Sequence, residues 1–276
     1  MQEIETGNFS PPRWVLIPPD SIRVVNWNIN RGLRQQRVIE FLATAKADVV
    51  LLQECDLNAR RTHHLNVANE IAQKLRMNYV FGREFQELTE GSRASPAYHG
   101  QATLSRWPLS NSRVLRFQKQ SNFWRPRWFL PEIEPFQERI GGRLALVCET
   151  TIAEKRIVTY NLHLESKGDD ALRCCQIVET LEDARRYEAS MPPIVLAGDF
   201  NLDVSGGPAS TAIIQAQFQN AFANQHLPTT PHSFLEPGRS IDWIFVRGPI
   251  HATRASVHSS ISASDHFPLS TVLTLS

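Results

Sequence analysis

The run Val195-Leu196-Ala197 stops abruptly at Gly198-Asp199-Phe200-Asn201, so a short apolar segment ends on an acid and an amide two residues apart. Behind the Pro192-Pro193 breaker such a run reads as a buried strand rather than a helix. Gly198 permits a tight backbone turn just ahead of Asp199. Strand alternation then places Asp199 and Asn201 on one side, with Phe200 turned away into packing. Gly-Asp-x-Asn also occurs in plain turns, where both side chains bond their own backbone, so the stretch acquires meaning only from the rest of the chain.

That rest repeats the pattern. Residues 22–30 alternate as a strand, place Asn26, Asn28 and Asn30 on one side, and end at Gly32. The apolar body from Val49 to Leu52 is followed closely by Glu54, a carboxylate closing a buried run. Such a group needs a partner, for which a hard divalent cation is suited. The strand expected over 156–163 ends at His163, Asp242 lies near the start of an apolar strand over 240–246, and Ser264-Asp265-His266 introduces the last strand, 269–275. Neighbours in extended chain face opposite ways, so a remote acid such as Asp242, rather than Asp265, is expected to orient His266. Helical spacing predicts helices over 34–45, 66–76 and 169–187, with a loop and short helix over 206–217. Further strands are expected at 79–81, 99–104 and 142–150.

A chain of 276 residues that is 42% hydrophobic can bury a sizeable core, and no linker divides it. The expected organisation is a proline-rich arm over 1–20, with Trp14, Val15 and Ile17 as a docking patch, and a single domain over 21–276. Four cysteines are too few for a disulfide framework and read as small buried hydrophobes in a reducing compartment. Met1 to Phe9 lacks the order of a secretory signal and no run reaches transmembrane length, so a cytoplasmic location is expected.

A net charge of +1 argues against a basic nucleic-acid coat protein but allows a local basic face. Residues 104–143 supply one, with eight basic residues against three acids, Glu132, Glu134 and Glu138, interleaved with Trp107, Phe117, Phe123, Trp124, Trp128 and Phe129. Basic groups beside aromatics suit phosphate contact and base stacking. Arg106, Arg125, Arg127, Trp124 and Trp128 are therefore candidate substrate contacts, together with Arg173, ten residues beyond His163. The competing expectation is an edge hairpin whose aromatics pack inward.

Collected, the strand-end residues are Asn28, Glu54, His163, Asp199, Asn201, Asp242, Asp265 and His266. No serine or cysteine sits in a nucleophile elbow, so the inventory suits metal-assisted attack of water on a phosphate ester better than covalent catalysis. Trp27-Asn28, Leu52-Gln53-Glu54, residues 161–166 (Asn-Leu-His-Leu-Glu-Ser), Gly198-Asp199-Phe200-Asn201, Ile241-Asp242-Trp243 and Ser264-Asp265-His266 resemble, in that order, the motifs of the endonuclease/exonuclease/phosphatase superfamily, which includes deoxyribonuclease I. The resemblance implies an α/β/β/α four-layer sandwich of two packed mixed β-sheets flanked by helices, and phosphoester hydrolysis with Mg²⁺, or alternatively Mn²⁺. By that analogy Glu54, with Asn28 beside it and Asp265 completing the acid cluster, holds the metal. Asp199, helped by Asn201, orients or deprotonates water, while His163 and His266, the latter paired with Asp242, contact the scissile phosphate. A histidine at 163 disfavours the exonuclease III-like branch, and the segment through Arg173 and Gln176 looks more like tyrosyl-DNA phosphodiesterase, sphingomyelinase and deadenylase-like members. Nucleic acid is the expected substrate; a lipid or inositol phosphate, or an inactive binding module, are the alternatives. No stable protein partner is inferable.

Overall fold

The computed structural model describes residues 3–11, 19–127, 129–131, 136–152, 154–223, 225, 227–232 and 237–275. The patch Trp14, Val15 and Ile17, together with Trp128, Glu132 and Glu134, lies outside them. In the first half the elements are β1 (Ile4–Gly7), β2 (Ser21–Arg31), α1 (Gln35–Ala45), β3 (Val49–Leu57), α2 (Val67–Leu75), β4 (Asn78–Glu87), β5 (Ala97–Ser105) and β6 (Leu109–Arg116). The second half holds β7 (Arg139–Gly141), β8 (Leu144–Ile152), β9 (Lys155–His163), α3 (Asp170–Ala184), β10 (Ile194–Asp199), α4 (Gly207–Gln215), β11 (Gln219–Asn220), β12 (Asp242–Arg247), β13 (Ile250–Val257) and β14 (Leu269–Leu275).

These strands form two mixed sheets, ordered β1-β4-β5-β3-β2-β14-β13, with β7 also on β4, and β11-β12-β10-β9-β8-β6. Alternation along β2 explains the layers. Val25, Trp27 and Ile29 face outward and pack with Val38 and Leu42 of α1 and Ile71 of α2. Ile22 and Val24 face inward and meet Val195 and Ala197 of β10 and Ile244 of β12 across the space between the sheets. On the far side, Tyr160, Leu162 and Leu196 pack beneath Ile177 and Leu181 of α3 and Ile213 of α4. The expected four layers are present.

Helix ends follow local chemistry. The Asn66 side chain accepts from the Asn69 amide at the start of α2, and that of Asp169 from the Leu172 amide at the start of α3. Five strands, β1, β6, β7, β11 and β13, carried no clear signal in the sequence. β1, expected as part of a loose arm, pairs antiparallel with β4, and β6 and β13 are only partly buried. Of the cysteines, Cys55 and Cys148 are buried as expected, Cys174 is half-buried against the core under α3, and Cys175 is exposed.

Candidate active site

Topology brings the motifs to one rim. β2 and β3 run parallel, as do β9 and β10, so Asn28, Glu54, His163 and Asp199 all fall near strand C-terminal ends. β12 runs antiparallel to β10 with Asp242 opposite Asp199, and β14 runs antiparallel to β2, which delivers His266 to the same edge. The indole of Trp27 donates to the His266 carbonyl at 2.9 Å, so the outward tryptophan of the Trp-Asn motif anchors the loop that carries His266.

Gly198 makes no turn; it lies within β10, paired with Leu162 and Trp243. Its φ is +156°, and a Cβ there would lie 2.0 Å from the Leu162 carbonyl oxygen. Only glycine lets β10 approach β9 this closely. Asp199, which follows it, has both oxygens committed: Oδ1 accepts from the Asn201 amide at 2.8 Å and Oδ2 from Asn28 Nδ2 at 3.1 Å. Asn28 therefore positions Asp199, and its own Oδ1 accepts from the Asn30 amide. Asn201, in left-handed conformation with φ +48°, donates its Nδ2 to the Leu164 carbonyl and ties the His163 segment down.

Two histidines face Asp199. His163 Nε2 lies 3.7 Å and His266 Nε2 3.8 Å from its Oδ2. Each ring is fixed through Nδ1 by a buried carboxylate: His266 by Asp242 at 2.8 Å, as expected, and His163 by Glu84 at 3.0 Å. Burial would push the His266 pKa down, but Asp242 and Asp199 outweigh it and raise it to about 10, so the ring is an imidazolium at neutral pH. Burial likewise opposes ionisation of Glu84, yet His163 and Arg143 bring its pKa down to about 2. The Arg143 guanidinium, itself buried, lies 3.0 Å from Glu84 and 2.8 Å from both ring nitrogens of His163, and donates to the Ser166 hydroxyl.

Glu54 sits at the mouth. Its side chain is 24% exposed and Oε1 lies 3.8 Å from His163 Nε2. Against the effect of burial, His99, His163, Arg31 and His266 hold its carboxyl well below the usual carboxylate range. Two groups of side chains present ligand atoms mutually within 4.8 Å and could hold a metal: Asp199, Asp242 and His266, and Glu84, His99 and His163. Of the residues expected to hold a metal, neither Glu54 nor Asp265 enters these groups; Asp265 is exposed, and its carboxylate accepts from the Ser264 hydroxyl.

Beneath this rim a buried polar ladder joins the sheets. Gln53 Nε2 donates to Asn26 Oδ1 at 2.9 Å and to Asn161 Oδ1 at 2.7 Å, and Asn161 Nδ2 donates to the carbonyls of Leu52 and Ala102. Asn26 Nδ2 reaches the Gly198 carbonyl.

The basic, aromatic stretch is redistributed by folding. Arg106 bonds the Ala47 carbonyl and pairs with Asp48 at the other end of β3, six residues from Glu54 and hence roughly 20 Å away along an extended strand. Trp124 is buried; its indole donates to Glu165 at 2.9 Å and its ring packs on Phe85, so it is a core residue rather than a stacking surface. Arg173 is also structural, bonding the Glu165 and Ser166 carbonyls and Asp170. Arg125 is exposed, and Arg127 stands 5.6 Å over the ring of Phe123. Glu84, Arg143 and His99 were not singled out for the site, because each lies within or beside a strand with no motif around it.

No curated protein gives a significant match to the sequence. Among solved structures, an endonuclease/exonuclease/phosphatase family protein from Bacteroides thetaiotaomicron superposes with TM-score 0.69 at 17% identity, covering 93% of this chain and 95% of that one. Truncated Caenorhabditis elegans TDP2 superposes with TM-score 0.60 at 18% identity, covering 92% and 98%. The human Nocturnin catalytic domain gives 0.66 at 16%, covering 94% and 97%. These likenesses concern the fold. The profile of the Endonuclease/Exonuclease/phosphatase family, whose members are generally hydrolases of phosphoester bonds, matches residues 25–266. The chain belongs to that family.

Proposed function

We propose that the protein is a Mg²⁺-dependent phosphodiesterase that hydrolyses nucleic-acid backbones by direct attack of water. The observation that carries this reading is the pair of carboxylate-anchored imidazoles, His163 and His266, whose Nε2 atoms both lie within 3.8 Å of Asp199 Oδ2. The Nε2 edges of two anchored imidazoles converging on one space suit the oxygens of a phosphoryl group, whose displacement needs positioning and charge stabilisation above all. Asp199, held on both oxygens, is the group that accepts a proton from the attacking water. The His266 imidazolium offsets charge on a phosphate oxygen, with Asp242 preserving its protonation.

The donor set fits a hard divalent cation. Glu54 is ionised and accessible, Asp242 Oδ1 is buried with no hydrogen-bond partner among the described residues, and Asp199 adds a further carboxylate. When bound, the ion supplies charge neutralisation of the phosphate and a more acidic water. Glu54 is the residue proposed to hold it; Asn28 acts through Asp199.

The nucleic-acid assignment is supported by Phe123, 47% exposed, which Lys167 and Arg127 flank at 5.6 Å and which packs on the buried Trp124 beside Glu165. An exposed ring between two cations is a stacking platform for a base. Exposure of Phe129 and Phe136 on the same segment favours a second reading, a sphingomyelinase-type or phosphoinositide enzyme that inserts these rings into lipid.

A turnover panel with Mg²⁺ or excess chelator separates the two. It offers single- and double-stranded DNA, RNA, a 5′-tyrosyl-DNA conjugate, inositol phosphates and sphingomyelin. Chelator-sensitive cleavage of a nucleic-acid substrate is expected, and Phe123→Ala is expected to weaken its binding by about 1–3 kcal/mol. Turnover of a lipid or inositol substrate alone would overturn the nucleic-acid assignment.

A further inference from the structure

Arg31 closes β2 in a backbone shape that few residues adopt. Asn30 and Arg31 are both left-handed, with φ of +46° and +65°, and Glu54 on the neighbouring strand has φ +54°. Successive non-glycine residues in that region cost energy and concentrate at functional sites. The cause is a slip in pairing: Asn28 stands opposite Gln53 but Arg31 opposite Cys55, so β2 carries one residue more than β3 over this span. Such a bulge re-aims a side chain, and here it sets Arg31 beside Glu54. The turn that follows is fixed, since the Gly32 and Leu33 amides bond the Ile29 and Asn30 carbonyls and Gly32 lies against Val67 of α2.

On this fixed backbone the guanidinium is loosely held. Among the described residues its only side-chain bond is from Nη1 to Asn30 Oδ1, long at 3.3 Å, while Nε is buried without a partner. The nearby acids belong to other groups. Glu138 pairs with Arg139 at 2.7 Å and Arg61 at 3.9 Å, and Glu54 lies 3.8 Å from His163. Arg31 helps to keep both carboxylates ionised through space, and it makes no bond to His163, Asp199 or His266, so it flanks the reacting centre rather than entering it. Residues 21–39 hold four arginines and no acid, and α1 has no acid in its first turn. Arg23 and Arg34 are spent on the carbonyls of Ala45 and Ser262, which leaves Arg31 the unspent cation beside Glu54.

We infer that Arg31 grips a second phosphate of the substrate, next to the one under attack, and so selects compounds with phosphates in series, such as a nucleic-acid strand, over esters with a single phosphate. Its Nη1 and Nη2 present parallel N–H groups that match two phosphate oxygens, on a side chain that stays charged at any working pH. A contact to a neighbouring phosphate fixes register, and register places the scissile bond at Asp199. Sphingomyelin, with one phosphate, gains nothing from it. The inference rests on the phosphodiesterase reading above and deepens it.

The test is binding in Mg²⁺ on the Asp199→Ala background, which prevents cleavage. A labelled single-stranded oligonucleotide is followed by fluorescence anisotropy, with a dinucleoside monophosphate and a trinucleoside diphosphate as competitors. With Arg31 in place the second phosphate is expected to tighten binding about tenfold, and Arg31→Gln to remove most of that gain. The same substitution should lower the slope of log Kd against log salt for the oligonucleotide by about 0.7, one phosphate contact fewer, whereas Arg31→Lys keeps the charge and should keep the slope. A merely structural role would weaken all three ligands alike and leave the slope as it was. An unchanged slope, or a gain from the second phosphate that is absent or survives Arg31→Gln, overturns the inference. Failure of the background protein to bind any oligonucleotide would count against the nucleic-acid assignment instead. Calorimetry with inositol monophosphate and bisphosphate then makes the same comparison, and a preference for the bisphosphate that is absent or independent of Arg31 overturns the inference.

Discussion

Glu84 is the residue whose role is least visible in the sequence and plainest in the structure. It fixes the His163 ring through Nδ1 while Arg143 and His163 keep it ionised despite burial. A carboxylate that orients a catalytic imidazole is expected to matter through that ring, so Glu84→Gln should lower kcat by about 10–100-fold, judging from such orienting partners elsewhere. Steady-state kinetics alongside a thermal unfolding curve checks this; an unchanged kcat in a folded variant would contradict it. Glu54 calls for a different signature. Its replacement by Ala should raise the Mg²⁺ concentration needed for half-maximal rate far more than it lowers the rate at saturating Mg²⁺, which a metal titration of turnover measures directly.

At the scale of elements, the segment between β6 and β7 shows how packing decides which aromatics are available. Trp124 fills space against Phe85 with its indole bonded to Glu165, and Trp124→Ala should cost about 3–5 kcal/mol of stability, read by chemical denaturation. Phe123, one residue earlier, is exposed, so its truncation should leave stability nearly unchanged. The sequence made Trp124 the candidate and Phe123 only a neighbouring aromatic, since inward and outward positions alternate there without a regular strand or long helix to fix the phase. By contrast, Asn28, His163 and Asp199 were legible because each closes a strand with strict alternation, and the parallel pairings β2–β3 and β9–β10 turn a shared strand-end position into a shared rim. Glu84 was not, because its orientation comes from the irregularity in β4, and a bulge is a property of pairing between strands rather than of one strand's pattern. Arg106 failed for a related reason: closeness in sequence to the basic stretch does not say which end of β5 a residue occupies.

Over the whole molecule, the two sheets are joined by apolar packing at one end and by the Asn26–Gln53–Asn161 ladder beneath the site. Asn161→Ala would leave Gln53 and the carbonyls of Leu52 and Ala102 without that partner, a loss of about 1–3 kcal/mol. Beside α1, burial first and Arg23 second depress the pKa of His258, which packs on Phe41 and bonds Ser270. The unfolded chain then binds the proton more readily than the folded one, so this group's effect is a loss of stability as pH falls through about 6.5. Denaturation midpoints about one pH unit above and one below the unfolded value should differ less in His258→Gln than in the native protein. The central claim, that Asp199 between His163 and His266 is the catalytic centre of a hydrolase acting on nucleic acid, is tested most directly by the single-turnover rate of phosphodiester cleavage in Mg²⁺ for the native protein and for Asp199→Ala. The expected result is a loss of about 10² or more with the substrate still bound. A variant that cleaves at a near-native rate would contradict the assignment.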